Sequence, residues 1–174
     1  MSWKLGFVIV GNHQTADEIF AALGVKMKHP PRVMPLADAL EPTAQGAFAV
    51  QSEDSYTLVL NRLLPYDLSF APPFESALEV RLKRLSKSFS VLAGFVDGSS
   101  ATAGFIVFER GEMVRARKIV SGEVEEDHGA LLDEEKKAKR GEESRIFAVT
   151  GRWLGMPLDD LFFESEKGIE VYET

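Results

Sequence analysis

The sequence predicts one α+β domain over residues 1–174, with a largely antiparallel sheet of about five to six strands packed against two to four helices. Three observations carry that expectation. Short apolar runs rich in β-branched and aromatic residues recur between turn residues, above all three in succession from Ser90 to Val120. One segment, Phe74–Phe89, repeats its apolar residues at helical spacing instead. The composition, 45% hydrophobic and 27% charged, suits a buried core. A folded chain of this mass exposes roughly 8,500 Å² against roughly 28,000 Å² unfolded, enough burial to need no disulfide or metal staple.

Leu5–Val10 reads as a buried strand, and Gly11–Gln14 as a loop. Thr15 with Glu18 three residues on forms a capping box. Ile19, Phe20 and Leu23 give the helix an apolar face, and Gly24 ends it. Residues 25–47 read as irregular, because Pro30, Pro31, Pro35 and Pro42 remove donors and disfavour helix before them. Ala47–Gln51 and Tyr56–Asn61 form a hairpin around Ser52–Ser55.

Phe74, Leu78, Leu82, Leu85 and Phe89 form one stripe of a helix ending near Ser88, with Glu79 placed to pair with Lys83. A meander follows: Ser90–Val96, Ala103–Glu109 and Glu112–Val120. Its turns are Asp97-Gly98-Ser99-Ser100 and Arg110-Gly111, since glycine accepts positive φ. A two-residue turn at Arg110-Gly111 sets Val107 opposite Val114 and Phe105 opposite Ala116, leaving Ile106 and Phe108 on the other face beside Met113 and Arg115. Residues 121–143 read as an acidic surface excursion, partly helical around Asp133–Arg140. Ile146–Leu154 then fits a helix stopped by Gly155, Pro157–Phe163 a shorter one, and Ile169–Tyr172 a strand.

Charge narrows the partners. The net charge is −7, and residues 123–143 carry nine acids against four bases. That balance opposes duplex nucleic acid and an anionic membrane surface, both of which select basic patches. The absence of cysteine removes thiol nucleophiles, thiolate zinc and iron–sulfur ligation, and fits a reducing cytoplasm. Leu5–Val10 is too short for a secretory or membrane-spanning segment, so the expected location is cytoplasmic.

Two places could hold a ligand. Asn12 and His13 precede the first helix, where free amides attract anions, although the same residues also make an ordinary strand-to-helix turn. Arg115 and Arg117 alternate along one strand, so both guanidinium groups leave the same sheet face. There they would either grip an anion or pair with the acidic segment that follows. Glu123, Glu125, Glu126, Asp127 and His128 match no calcium-loop spacing and read as a solvated charge run, so no metal is expected. No nucleophile elbow or His-Glu-x-x-His motif occurs, and no cofactor is expected.

Phe95, Gly104, the Glu109–Arg117 hairpin and the tail Thr150-Gly151-Arg152-Trp153-Leu154-Gly155 resemble small uncharacterised bacterial α+β proteins, some of them immunity or toxin-neutralising domains. The resemblance covers residues 89–174 and transfers no functional residue. Two functions are weighed from the residues. One is a binding protein for a protein partner or small anionic molecule, meeting a basic partner through 123–143. The other is a small enzyme acting on an anionic metabolite near the first strand–helix loop, with His13 as its acid or base. Open sheet edges and surplus phenylalanine also allow a two-fold homodimer.

Overall fold

A computed structural model describes residues 3–174. Its centre is β1 (Lys4–Val10), whose six consecutive buried residues explain the uninterrupted apolar run. The chain continues through α1 (Ala16–Leu23), β2 (Arg32–Pro35), a 3-10 turn at Leu36–Ala39 and α2 (Leu40–Ala44). Next come β3 (Phe48–Ser52), β4 (Thr57–Leu60), a 3-10 turn at Leu64–Asp67 and α3 (Ala77–Leu85). The second half is β5 (Val91–Asp97), β6 (Thr102–Glu109), β7 (Glu112–Val120), β8 (Glu123–Gly129), α4 (Asp133–Lys137), α5 (Glu142–Leu154), α6 (Leu158–Glu164) and β9 (Gly168–Tyr172).

The strands form one antiparallel sheet in the order β2-β9-β3-β4-β1-β5-β6-β7-β8. Nine strands, not five to six, are present among the described residues. Seven of them coincide with runs that read as strands in the sequence, and the other two, β2 and β8, lie at the two edges. β8 has no apolar face, since it reads Glu-Val-Glu-Glu-Asp-His-Gly and is mostly exposed, and β2 is only four residues, Arg-Val-Met-Pro, with Met34 alone packed on the core, so hydrophobic patterning reveals neither. The turn Ser121-Gly122, with φ 52° and 83°, folds it back on β7.

Helices cover both faces. On one, Phe7, Ile9, Leu58, Leu60, Phe105 and Val107 pack beneath Ile146, Phe147, Val149, Leu158 and Leu161 of α5 and α6. On the other, Val8, Val10, Val59, Ala93 and Ile106 pack beneath α1, α3 and Phe70. A strand buried on both sides has no polar face, so β1, β5 and β6 read as continuous apolar runs. Among the described residues no helix is long and apolar enough to cross a membrane.

The capped helix α1 forms as expected, with Thr15 and Glu18 closing the capping box and Gly24 at φ 70°. α3 is shorter than its stripe. Ser76 caps it through a box with Glu79, while Phe74 lies upstream in a left-handed conformation. Glu79 does not pair with Lys83. It is fully buried and accepts from the backbone N–H of Ser69 (3.0 Å), Phe70 (2.9 Å) and Ser76 (2.9 Å), and from the Ser69 hydroxyl. Lys83 donates to the Pro73 carbonyl.

The β6–β7 hairpin has its two-residue turn, and Phe108 pairs with Met113. A bulge then intervenes: Val107 faces Arg115 rather than Val114, and Phe105 faces Arg117 rather than Ala116. One extra residue moves every following side chain to the opposite face. Ala116 therefore joins Ile106 beneath α3, and both arginines turn toward α4 and α5.

Candidate functional site

The Gly11–Gln14 loop is held by its neighbours rather than left open. The buried Thr57 hydroxyl donates to the Asn12 carbonyl (2.9 Å) and accepts from the Gln14 N–H (2.7 Å). Ser52 donates to the Gln14 carbonyl (2.6 Å). At the start of α1 the Thr15 N–H already has an anionic partner, the Glu18 carboxylate (2.8 Å). That N–H and the Thr15 hydroxyl hold the Glu18 carboxyl below its usual range. His13 is exposed, with Nδ1 3.2 Å from the Glu53 carbonyl.

Arg115 and Arg117 share a face, but helices cover it. Arg115 is fully buried. Its Nε and Nη2 donate to the Glu135 carboxylate (2.8 and 2.9 Å), and Nη1 donates to Asp127 (2.5 Å) and to the His128 carbonyl (3.0 Å). Glu135 also accepts the Leu132 N–H (2.8 Å), so α4 is fastened to the sheet through one guanidinium. Arg117 forks onto Glu142 (3.2 and 3.0 Å) and also donates to Asp127. Burial would raise the Asp127 carboxyl, but the hydrogen bonds and charges of both arginines outweigh it and hold it below its usual value.

The pairing continues through the acidic segment. Glu125 meets Lys118, Glu126 meets His128, Asp133 meets Lys136 and Glu134 meets Arg152. With Asp127, Glu135 and Glu142, seven of the nine acids in 123–143 have partners within the chain.

Three other acids without ion-pair partners share one groove. A groove of about 480 Å³ opens between the β3–β4 turn and the C-terminal ends of α5 and α6. Strand pairing builds it. Phe48 faces Tyr172 and Val50 faces Glu170, so the same register carried outward sets Lys167 opposite Glu53. The Lys167 ammonium lies 2.7 Å from Glu53 Oε2. Asp54, Glu164 and Glu166 complete the rim, are exposed, and have no ion-pair partner among the described residues.

Leu154, Met156 and Leu161 supply apolar wall. Tyr56 lines the same groove, and burial, reinforced by the Glu53 charge, raises its phenol above the ordinary value. The phenol therefore remains a protonated donor at neutral pH.

Gln51 is the unusual member. It is 5% exposed and its Nε2 donates to Glu53 (3.3 Å), yet its Oε1 is buried with no hydrogen-bond partner. The opposite amide orientation would set oxygen against the Glu53 carboxylate, so the acceptor stays on the unpartnered side. A buried unpaired carbonyl costs about 1–3 kcal/mol.

The rim charges favour a cation, as do the helix C-terminal ends flanking them. They do not converge on a point: among the described residues no three His, Asp or Glu side chains lie close enough to hold a metal ion. An extended organic cation fits this distribution better than a sphere. Sequence reading missed the groove because it joins residues 51–56 to residues 154–167, about one hundred positions away, and the two meet only once β9 inserts beside β3. The one sequence signal was local, namely acidic turns at Glu53-Asp54 and Glu164-Ser-Glu166. Comparison of the chain with protein-family models, curated proteins and solved structures gave no match.

Proposed function

We propose that the protein is a binding module for a positively charged protein partner, acting in a reducing cytoplasm. The observation that carries the reading is the division of its acids. Those of 123–143 are largely neutralised within the fold, whereas Asp54, Glu164 and Glu166 remain unpaired together around an open groove. The chain's net charge of −7 would steer a basic partner over longer range. Neutralisation of a basic toxin is one role that such a surface would serve.

An anionic ligand is disfavoured at this rim, where four carboxylates face one lysine. The groove also offers no serine held by a base: the Ser165 hydroxyl accepts the Lys167 N–H. Binding therefore suits the site better than the enzyme reading.

Fluorescence anisotropy with labelled ten-residue peptides tests the reading, comparing Lys/Arg-rich, neutral and Asp/Glu-rich sets at 20 and 300 mM salt. Basic peptides should bind and lose affinity as salt rises. Equal binding of all three sets would overturn the proposal. So would basic-peptide affinity unchanged in the triple variant Asp54→Asn, Glu164→Gln, Glu166→Gln.

A further inference from the structure

We infer that the outward face of α3, together with the Arg110 turn, is a docking surface for a short acidic segment of a protein. The inference goes beyond the basic-partner reading, because α3 covers the side of the sheet opposite α5 and α6. Three features select it.

The first is unpaired charge. Arg81, Arg84, Lys87 and Arg110 are exposed, and none has an ion-pair partner among the described residues. That is unexpected in a chain with 27 acids against 20 bases. The cause is Glu79, the one acid of α3, whose carboxylate is turned inward onto the main chain of Ser69, Phe70 and Ser76. Lys83 thereby loses the ion pair its spacing would allow, and the outward side of the helix carries no acid.

The second is convergence. Ala77, Val80 and Arg84 recur at helical spacing on the side away from buried Leu78 and Leu82, and Lys87 continues the stripe in the turn that ends the helix. The β6–β7 turn is fastened to the same end. The Gly111 N–H donates to the Ser86 hydroxyl (3.1 Å) across 25 positions of sequence, and the Lys87 stem packs over Gly111. Arg110 thus joins Arg84 and Lys87. Cations in a last turn steady the helix dipole, but that role leaves the guanidinium donors free to fork onto a carboxylate.

The third is extent. The stripe from Ala77 to Lys87 is about 15 Å long. Exposed Glu75 bounds one end and exposed Glu112 the other. A short acidic segment fits between them. A nucleic-acid strand or an anionic membrane would carry its charge past these limits, toward a molecule of net charge −7. Val80, 41% exposed, offers a foothold to an apolar residue within the segment.

The test uses the full chain, heteronuclear NMR and three blocked ten-residue peptides, Asp/Glu-rich, Lys/Arg-rich and Ser/Gly-only. At 20 mM salt the acidic peptide should shift the signals of residues 77–87 and 110–112, and 300 mM salt should weaken it about tenfold. Arg84→Gln combined with Lys87→Gln should weaken it about tenfold with an unchanged near-ultraviolet circular dichroism spectrum. Lys137→Gln combined with Arg140→Gln, the same charge change elsewhere, should leave it within about twofold. Arg110→Gln, outside the helix, should cost about threefold and carries the test if the paired variant loses its fold.

Shifts confined to other surfaces, Ser/Gly peptide binding as well as acidic, or affinity unchanged in these variants would overturn the inference. So would tighter binding at the same residues of a twelve-nucleotide single strand, or of vesicles of phosphatidylcholine and phosphatidylserine in equal parts, since the surface would then serve a polyanion rather than a protein. Sedimentation velocity at 20 mM salt should show a monomer; self-association abolished by Arg84→Gln and Lys87→Gln would make a second copy the occupant and equally overturn it. Basic peptides should bind the paired variant as they bind the native chain, so the groove reading and this one can fail separately.

Discussion

Arg115 shows how a single side chain can fasten two layers together. A buried guanidinium is tolerable only when its charge and donors are matched, and here Glu135, Asp127 and main-chain carbonyls do so. Arg115→Ala should therefore destabilise the protein by about 3–5 kcal/mol in urea unfolding, because it strands the buried Glu135 carboxylate. Arg115→Met combined with Glu135→Leu should lose much less, since no charge is left unpaired. Asp127 adds a pH dependence. Its folded carboxyl titrates below the ordinary value near 3.9, so its contribution is complete above that value and disappears as pH falls through the folded one. The stability gap between the native chain and Asp127→Asn should thus be largest at pH 6–7 and shrink toward pH 2; a gap that widened in acid would contradict the assignment. Alternation along the strand was enough to put Arg115 and Arg117 on one face. It could not show that the face is covered, because Glu135 and Glu142 lie twenty or more residues downstream.

Individual elements depend on equally local devices. The carboxylate of Glu79 gathers three main-chain donors from the loop ahead of α3. Glu79→Gln would turn an amide NH₂ toward donors and leave at least one buried N–H unpaired, which should cost about 3 kcal/mol. Limited proteolysis should then cut between residues 68 and 76, and resistance equal to that of the native chain would refute this role. The β7 bulge is a second such device. Deleting Val114 would remove the extra residue yet keep Met113 opposite Phe108 and Arg115 opposite Val107, so both arginines should still face α4 and α5 and Ala116 should stay beneath α3. Such a chain should keep a cooperative fold by near-ultraviolet circular dichroism, and loss of it would contradict this reading of the bulge. The capping box of α1, the glycine stop of α5 and the β6–β7 turn were all legible, because each is written in adjacent residues. The bulge was not, because the strand's apolar spacing suits either register. The edge strands were hidden too: β2 and β8 are held by main-chain pairing and bury little that a sequence pattern would mark.

Across the whole molecule, both sides of the sheet are sealed, and stability should grade from the middle outward. Amides of β1, β4 and β5 should exchange with deuterium only through global unfolding, those of β8 sooner, and those of four-residue β2 soonest. Equal protection of β2 and β1 would contradict that gradient. An α+β, antiparallel architecture followed from hairpin turns and runs, yet strand order did not, because β9 joins β2 to β3 across long stretches of chain. That insertion has a consequence for biosynthesis. Both neighbours of β9 leave the ribosome more than one hundred residues before it does, so over that interval residues 32–35 lack a mate and β3 presents a bare flank. Assembly of this side of the molecule, and with it the groove's Glu53–Lys167 contact, must wait for the closing segment to emerge, a natural interval for a chaperone to shield it.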